Sequence, residues 1–597
     1  MNPSRVLDAI LWFGEIRSGW LALELCDTPH KTGFYFFVPA GPRQKRILAS
    51  TAVIGQTRRG CARSVVTDGS LHWWDDIMKY WLLVFCSSAV CGVTFWQLRF
   101  SDARPVKHTG GRTGALEALM KEAEPEILRV EREIDEIEQQ ALAEWRALPI
   151  DASTRLDQVR VLGKLLLFDK NLSLNRNEAC SFCHMPDTDF TGPISRLNET
   201  TVAYPGSVRT RIGHRKPQSY TYAPFYPALK YNSTQQDFYG GNFWDLRATG
   251  YKLQSPAAEQ AQGPPVDPNE MGFPDSACVV RRLAQSPYRR LFETVWGDQA
   301  FAIRWPADVD RVCSKPGPSS ASDPYPVHLS KEDRGRSNAT YDDFGLSISM
   351  YEASPEVSPF SSKFDYALAR PDEPVLSPDE LAGWNLFRGR AKCNTCHLDG
   401  TENAPGTSPP MTPGSAASMA PLFTDFTSNN IGVPRNPEIP YYSENVPDQY
   451  GYVANPSGQR YVDRGVGDFL SGPDNIDRTW RSYAKSFDGK FQTSTLRNVD
   501  KRPRPDFVKA YMHNGYLKSL KEVVHFYNTR DVLGRCRAPD DPGQKVSCWP
   551  APEVAENLNT TVGRLGLTVT KKPRLWLFLR PLPTDTSRKS RGARNEV

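Results

Sequence analysis

Two copies of one pentapeptide carry the residues best suited to chemistry in this chain. CSFCH at 180–184 and CNTCH at 393–397 both read C-x-x-C-H. In this pattern two thiols can attach the vinyl groups of one haem as thioethers, while the next residue supplies an imidazole to the iron. We therefore predict two covalently bound haem c groups. The attachment residues would be Cys180, Cys183, Cys393 and Cys396, and the iron ligands His184 and His397.

Chance is a poor explanation for this pair of motifs. Random placement of 12 Cys and 9 His in 597 residues predicts roughly 0.004 copies of the pattern. Zinc binding is the competing interpretation, but a zinc site needs four N or S ligands around one metal, usually from a second C-x-x-C or H-x-H close by. More than two hundred residues separate the two motifs, so the sequence favours haem.

Length and composition restrict the class of protein. A chain of 597 residues predicts two or three domains. The 49 Pro and 42 Gly, with a mean hydropathy of −0.51, indicate a soluble, loop-rich protein and exclude a coiled coil or a multi-span membrane protein. The net charge of +5 lies within residues 1–111, where 13 Lys and Arg face 8 Asp and Glu. The remainder is formally neutral, so we expect no nucleic-acid partner.

An apolar run at 80–98, YWLLVFCSSAVCGVTFWQL, follows Met78 and Lys79. It is about as long as a membrane span and has the basic residue that precedes an export signal. We interpret Met78 as the biological start and 78–99 as a signal peptide or a membrane anchor that directs the protein to the periplasm. Both alternatives stay open because no small-x-small cleavage site is obvious. Basic residues after the run disfavour export of the C-terminus, but the haem motifs outweigh them.

Four other cysteines fall as two near-neighbour pairs in loop-like sequence, Cys278 with Cys313 and Cys536 with Cys548. Such pairs fit disulfides in an oxidising compartment, which haem c also implies. Free buried thiols are the alternative, because sequence does not give the geometry of a disulfide.

The lead-in to the first motif, at 161–193, reads VLGKLLLFDKNLSLNRNEACSFCHMPDTDFTGP. It resembles the lead-in LGKxLFFDxxLS…C-x-x-C-H of the bacterial di-haem cytochrome c peroxidases, a family that includes the MauG-type enzymes. The resemblance covers roughly 150–580 in the family order. Its further segments are NFWDLRA (242–248), EQAQGPPVDPNEMGF (259–273), LSPDELAGWNLFRGRAKCNTCH (376–397), PLFTDFTSNNIGVPRNP (421–437), TSTLRNV (493–499) and YMHNGYLKSLKEVVHFYN (511–528).

The resemblance implies a mostly α fold with two cytochrome c-type haem domains and long irregular loops. We expect the 112–148 segment, rich in helix formers, to be a stalk or a helix laid against the first haem domain, broken or kinked at Pro125. Ser377, Pro378 and Glu380 predict the capped start of the helix that leads to the second motif. The predicted parts are an extension that does not fold (1–77), the signal or anchor (78–99), a charged helix (112–148), the N-terminal haem domain (150–370), the C-terminal haem domain (371–585) and a disordered basic tail (586–597).

The resemblance implies that the first haem reacts with peroxide, with Gln260 and Glu270 lying over it. A carboxylate beside peroxide can take the proton from the inner oxygen and return it to the outer one, and desolvation would raise its pKa toward the useful range. Trp244 matches the family tryptophan that relays electrons between the haems. Gln260 lies sixteen positions after Trp244, where the family has about ten, so we expect a reshaped loop here. Without the resemblance, Glu270 would be a surface carboxylate and Trp244 a core residue.

The resemblance places the second ligand of the C-terminal haem fourteen residues after His513, at Tyr527. Standard peroxidases have Met there and MauG-type enzymes have Tyr. Leu520, Val523, Val524 and Tyr527 also form an inward stripe at i, i+3, i+4 and i+7. Tyr527 as a core aromatic is the alternative, and His525 and Met512 are reserve ligands.

Two departures from the family pattern affect the first haem and its surroundings. The family's blocking His falls on Ser207, and the nearby His214 lies on the wrong side of the gap, so we expect His214 to be structural and the haem to be five-coordinate. The family Asn that binds an interhaem calcium aligns with Arg215, so calcium is a possible but doubtful cofactor.

We therefore predict a cytochrome-c peroxidase-like oxidoreductase that reduces hydrogen peroxide to water with electrons relayed from a second haem. A small cytochrome c or a cupredoxin would be the electron donor. A MauG-type enzyme that uses peroxide to oxidise a partner protein or small molecule is the first alternative. A non-catalytic di-haem electron-transfer cytochrome is the second, and the presence of Gln260 and Glu270 argues against it.

Overall fold

A computed structural model describes residues 23–26, 33–36, 113–149, 154–400, 421–475, 477–538 and 540–580. The predicted signal or anchor segment, most of the N-terminal extension and the basic tail lie outside these ranges. Within the extension, β1 (Leu23–Cys26) pairs antiparallel with β2 (Gly33–Phe36), which differs from the expectation that this part does not fold. Every helix in the ranges given above is too short or too polar to cross a membrane.

The predicted charged helix is α1 (Thr113–Ala147), and it continues through Pro125. Of the two predicted effects of Pro125, a break or a kink, the break is therefore wrong. Val130 and Ile134 of α1 are fully buried in the same hydrophobic core as the first motif's surroundings, and Glu126 Oε2 accepts a hydrogen bond from Ser195 N at 2.6 Å. The sequence left two alternatives for this helix, a stalk or a helix laid against the first haem domain. The structure has the second arrangement, because α1 packs against the residues that follow it.

Residues 154–370, here called the N-terminal half, contain the first motif among helices and irregular loops. The strands β3 (Lys230–Asn232) and β4 (Asp237–Tyr239) form a short antiparallel pair. The helices are α2 (Arg155–Phe168), α3 (Ser195–Glu199), α4 (Pro256–Ala261), α5 (Ser276–Leu283), α6 (Arg289–Trp296), α7 (Val309–Val312), α8 (Lys331–Glu352) and α9 (Lys363–Ala369).

Residues 371–580, the C-terminal half, contain the second motif. The helices are α10 (Pro378–Arg388), α11 (Val466–Ser471), α12 (Leu520–Thr529) and α13 (Lys571–Leu579). The strand pairs are β5 (Ser428–Asn429) with β6 (Phe491–Gln492), antiparallel, and β7 (Gly534–Arg535) with β8 (Cys548–Trp549), parallel. Helical residues far outnumber strand residues in both halves, and the strands are short, so the fold is mostly α with long irregular loops, as predicted.

The helix that leads to each motif crosses a later helix of the same half at a glycine. In the N-terminal half, a Cβ on Gly163 of α2 would overlap the carbonyl oxygen of Ser347 on α8. In the C-terminal half, a Cβ on Gly383 of α10 would overlap the carbonyl oxygen of Arg574 on α13. Both halves therefore fix the helix before the motif by a backbone contact that only glycine permits.

The start of α10 follows the predicted capping box. Ser377 Oγ accepts from Glu380 N at 3.3 Å, and Glu380 Oε2 accepts from Ser377 N at 2.7 Å. Pro378 occupies the first turn, where its missing N–H costs nothing. The helix that delivers the second motif is thus closed at its N-terminus by its own side chains.

Side chains from both halves share one hydrophobic cluster. Phe238 and Leu246 from the N-terminal half pack with Phe469, Leu470 and Trp480 from the C-terminal half. Each half also contains one disulfide, and these confirm both predicted cysteine pairs, Cys278 with Cys313 and Cys536 with Cys548.

Candidate active site

The first motif forms a tight turn that presents His184 to a cavity. A 3-10 helix at Cys180–Phe182 is closed by a hydrogen bond from Cys183 N to Cys180 O. His184 Nδ1 lies 2.8 Å from Phe190 O, and because a carbonyl only accepts, Nδ1 carries the proton and Nε2 keeps its lone pair. Burial lowers the pKa of His184 to about 4, so the ring stays neutral and able to bind a metal.

The second motif repeats this arrangement. A 3-10 helix at Cys393–Thr395 precedes His397, whose Nδ1 lies 2.9 Å from Phe423 O. Burial also lowers the pKa of His397 to about 4. Each histidine is therefore oriented by a backbone carbonyl, as is usual for metal-bound imidazoles.

Each histidine lines its own cavity. The His184 cavity has a volume of about 360 Å³ and is also lined by Cys180 and Cys183. The His397 cavity has a volume of about 240 Å³ and is also lined by Cys393 and Cys396. The predicted attachment residues thus face the same spaces as the predicted iron ligands.

Two observations fit these cavities to haem c. The four motif cysteines have free thiols, although the other cysteines in the described parts of residues 154–580 pair as disulfides. Several buried polar atoms along the cavity walls have no protein partner, which is costly unless another molecule supplies one. They are Gln218 Oε1, Tyr220 Oη, Asn269 Oδ1, Glu352 Oε2 and His513 Nε2.

Glu270 and Gln260 both line the His184 cavity, and neither lines the His397 cavity. A compact Pro-rich loop holds Glu270, since Met271 N donates to Pro264 O at 3.1 Å and Glu270 N donates to Asp267 O at 3.1 Å. Burial, reinforced by the nearby Asp267 carboxylate, raises the pKa of Glu270 to about 8. This side chain can gain or lose a proton near neutral pH.

A thin wall separates the two cavities, and Trp244 belongs to it. The residues that line both cavities are Lys216, Gln218, Ser219, Asn242 and Trp244. Trp244 Nε1 donates to Lys216 O at 3.0 Å, which fixes the indole. Its ring centroid lies 6.5 Å from that of His513, a residue of the His397 cavity.

Tyr527 lines the His397 cavity together with the other members of its predicted stripe, Leu520, Val523 and Val524. Ser519 caps α12 by accepting from Glu522 N at 3.2 Å, so the stripe begins in a fixed register. Burial raises the pKa of the Tyr527 phenol above its ordinary value.

The two reserve ligands lie in different places. Met512 lines the His397 cavity, whereas His525 does not. His525 Nδ1 instead lies 3.1 Å from Lys572 Nζ. Of the two, only Met512 shares the cavity with Tyr527.

Ser207, the position of the family's blocking histidine, is buried away from the His184 cavity. Its hydroxyl donates to Asn177 Oδ1 at 2.7 Å. His214 does line that cavity, with its ring centroid 5.0 Å from Tyr441 and 5.9 Å from Tyr461. The imidazole is packed among aromatic rings at the cavity wall.

Arg215 forms a buried charge cluster with one carboxylate from each half. Its Nη1 donates to Asp245 Oδ2 at 2.7 Å. Its Nε and Nη2 both donate to the Asp463 carboxylate, each at 2.7 Å. Arg215 holds the pKa of Asp463 well below its ordinary value, against the opposing effect of burial. A fixed cation therefore stands where the family resemblance would put a calcium ligand.

The longer segment between Trp244 and Gln260 is closed by one carboxylate. Glu259 accepts backbone hydrogen bonds from Gly250 at 2.6 Å, Lys252 at 2.6 Å and Leu253 at 2.9 Å. These bonds fold the loop back onto α4, the helix that carries Gln260.

Three cavity residues were not predicted as functional. Lys216 and Lys509 line the His397 cavity, and Glu352 lines the His184 cavity. Lys216 follows Arg215, which stands at the position of the family's calcium-binding Asn. An isolated lysine or glutamate in a sequence, however, gives no indication that its side chain is buried.

Two helical halves, each with a C-x-x-C-H turn facing its own cavity, define a protein of the c-type haem class. Residues 157–373 match the family model of the di-haem cytochrome c peroxidases. The methylamine utilization protein MauG of Paracoccus denitrificans is 28% identical over 412 residues, which cover 69% of this chain and 84% of that protein. The cytochrome-c peroxidase IdrP1 of Denitromonas iodatirespirans is 25% identical over 388 residues, which cover 64% and 75%.

A solved structure has a similar fold. The crystal structure of the diheme peroxidase BthA from Burkholderia thailandensis matches with a TM-score of 0.50 and 24% identity, covering 72% of this chain and 86% of that one. These similarities support a di-haem cytochrome c peroxidase family for the chain, with the family model itself matching residues 157–373.

Proposed function

We propose that this protein is a di-haem c-type peroxidase that reduces hydrogen peroxide to water at the His184 haem, with electrons relayed from the His397 haem. The observation that carries the proposal is the asymmetry of the cavities, because Glu270 and Gln260 face only the first. A haem iron held by one protein imidazole offers an open position to peroxide, whereas one held on both sides transfers electrons.

Glu270 would move the proton that the reaction requires. Its carboxylate takes the proton from the inner oxygen of peroxide and returns it to the outer oxygen, which leaves as water. The pKa of about 8 that burial gives Glu270 suits a group that must both accept and donate near neutral pH. Two electrons and two protons in all convert one peroxide into two waters, and the Gln260 amide orients the substrate.

Trp244 would carry electrons between the two centres. Its indole lines both cavities, so electrons would pass from one haem to the other through this single side chain. A small cytochrome c or a cupredoxin is the proposed donor to the His397 haem.

Replacement of the catalytic carboxyl tests the proposal. We expect Glu270→Gln to lower kcat/KM for peroxide by about 100-fold or more, with both haems retained by absorbance of the pyridine haemochrome. Glu352→Gln is the matched control, since it removes a buried carboxyl from another part of the same cavity wall. Unchanged turnover in Glu270→Gln would remove Glu270 from the mechanism.

A MauG-type activity, in which peroxide is used to oxidise a partner protein or small molecule, is the second candidate. Tyr527 at the His397 cavity favours it. EPR and visible spectra of the fully oxidised protein, before and after one equivalent of peroxide, separate the two. A rapid reaction without prior reduction supports the MauG-type activity, and no reaction until one haem is reduced supports the standard peroxidase.

The proposed location is the periplasm, reached through residues 78–99. Two disulfides support an oxidising compartment. Cell fractionation with mass spectrometry of the mature N-terminus tests this, and a cytoplasmic protein that begins at Met1 would contradict it.

A further inference from the structure

Two lysines bring positive charge into the wall of the His397 cavity. Lys509 is buried, with 4% of its surface exposed, and its ammonium group donates to the carbonyl oxygens of Lys501 at 2.9 Å and Asn498 at 3.3 Å. Lys216 donates to Thr191 Oγ1 at 2.8 Å and to Pro217 O at 3.0 Å. Every one of these acceptors is uncharged.

No carboxylate forms an ion pair with either lysine within the ranges that the structure covers. Asp189 is close enough to act on both ammonium groups electrostatically, but its Oδ1 accepts from Thr221 Oγ1 at 2.8 Å. Asp500 also acts on Lys509 but is paired with Arg502 and Arg580. Of these two carboxylates, Asp189 is the one not already paired with an arginine, and a single negative charge does not balance two ammonium groups.

A buried ammonium without a counter-ion is expensive, and it either loses its proton or binds an anion. Burial lowers the pKa of Lys216 to about 7 and that of Lys509 to about 8. Both groups line a cavity whose other walls carry the second haem motif. A haem attached at that motif would bring two propionate carboxylates into the cavity and supply the negative charge that the lysines lack.

We propose that Lys216 and Lys509 bind the propionate carboxylates of the haem attached at Cys393 and Cys396. The two lysines differ in the cavities that they line. Lys509 lines only the His397 cavity, whereas Lys216 lines both cavities. Lys509 consequently acts on one haem, while Lys216 also places its charge beside the His184 haem. The proposal rests on haem attachment at both motifs, which the mass of the intact protein verifies first.

Spectroelectrochemical titration of Lys509→Met and Lys216→Met holo-protein tests the proposal. Loss of a cation beside a haem favours its oxidised, more positive form. We expect Lys509→Met to lower the midpoint potential of the His397 haem alone and Lys216→Met to lower both potentials. The propionate bending band in the resonance Raman spectrum shifts in both variants, whereas Lys509→Arg, which keeps the charge, stays near wild type.

Lys521→Met is the matched control, because Lys521 is an exposed lysine of α12 that lines neither cavity. An equal shift of potential in this control, or an unmoved Raman band in Lys509→Met, would overturn the proposal. If Lys509→Met does not accumulate as holo-protein, Lys216→Met decides the matter, since it must move both potentials. None of these readouts depends on peroxide turnover, so failure of the peroxidase proposal would leave them unaffected.

Discussion

Tyr527 is the residue that would distinguish the two haem centres, because its phenol oxygen is the candidate second ligand at the His397 cavity. We expect Tyr527→Phe to remove this oxygen and shift the His397 haem toward a high-spin spectrum, measured by EPR and visible absorbance of the oxidised protein. Tyr226→Phe is the control. Tyr226 lines the same cavity, but its hydroxyl is occupied as acceptor for Thr495 N at 3.1 Å. An unaltered spectrum in Tyr527→Phe would make this residue a core aromatic.

Glu352 should make stability depend on pH. Burial raises its pKa well above the ordinary value of 4.5, and Oε2 has no hydrogen-bond partner. The folded protein then keeps a proton that the unfolded chain releases above its pKa, so the free energy of unfolding falls as pH rises, by up to about 1.4 kcal/mol per pH unit.

We expect Glu352→Gln to flatten this fall between pH 5 and pH 8, measured by urea unfolding of the holo-protein at several pH values. The reason is that the amide does not titrate. Parallel stability curves for wild type and variant would show that Glu352 exchanges no proton on unfolding.

Individual functional residues could be predicted from the sequence where they lie together in one contiguous motif. The haem attachment turns could be predicted because five neighbouring residues contain the whole signal. Lys216 and Lys509 could not be predicted as cavity residues, because they come from opposite halves and line one cavity only when the fold brings them together.

Among the secondary-structure elements, the glycine crossings should be the least tolerant of change. We expect Gly383→Ala to lower the free energy of unfolding by about 1–3 kcal/mol, because the added methyl group overlaps the backbone of α13. Thermal unfolding of the holo-protein measures this. Gly335→Ala on α8 is the matched control, since nothing lies within 4 Å of the added methyl.

That control should stabilise the protein by about 0.5–1 kcal/mol, the usual gain for alanine over glycine within a helix. If Gly383→Ala were equally harmless, the contact between α10 and α13 would not be as close as the structure has it.

The start of α10 was predictable from sequence, and the course of α1 was not. A capping box is a local pattern whose partners lie three residues apart, as Ser377 and Glu380 do. A proline within a helix costs about 3 kcal/mol, which suggests a break at Pro125. Burial of Val130, Ile134 and other apolar side chains of α1 against the N-terminal half offsets that cost, and such distant contacts are invisible to local rules.

In the whole molecule, Arg215 joins the two halves by pairing with Asp245 of its own half and with Asp463 of the C-terminal half. We expect Arg215→Met to destabilise the protein by about 3–5 kcal/mol, because two buried carboxylates lose their cation. Arg247→Met is the control and should cost less. It pairs with Asp245 too, but its side chain is 32% exposed, against 10% for Arg215. Equal losses of unfolding free energy in the two variants would contradict the bridging role.

The same cluster makes a prediction about metal ions. Since the guanidinium supplies the positive charge between the halves, dialysis against EDTA should leave peroxide turnover and thermal stability unchanged, and added calcium should have no effect. A loss of activity restored by calcium would contradict this. Because Arg215 holds the pKa of Asp463 below its ordinary value, the stability that this pair contributes is present at neutral pH and is lost in acid.

The position of one C-x-x-C-H turn in each half could be predicted from the spacing of the motifs. The wall between the cavities could not, because Trp244 and Lys216 of the N-terminal half meet His513 of the C-terminal half only through tertiary packing. The longer loop before Gln260 was expected to be reshaped. Its closure by Glu259 depends on three backbone N–H groups converging on one carboxylate, which residue types alone do not indicate.

The disulfides described above impose a constraint on how the protein is made. Four cysteines pair as disulfides, while the four motif cysteines would have to stay reduced until each received a vinyl group under the proposed haem attachment. A neighbouring C-x-x-C pair readily closes on itself in an oxidising compartment. A host that exports the protein to the periplasm, as proposed, would therefore need an oxidase and a separate thiol reductant for the apocytochrome. Expression in a host without this maturation machinery should give protein that lacks haem absorbance and contains incorrect disulfides.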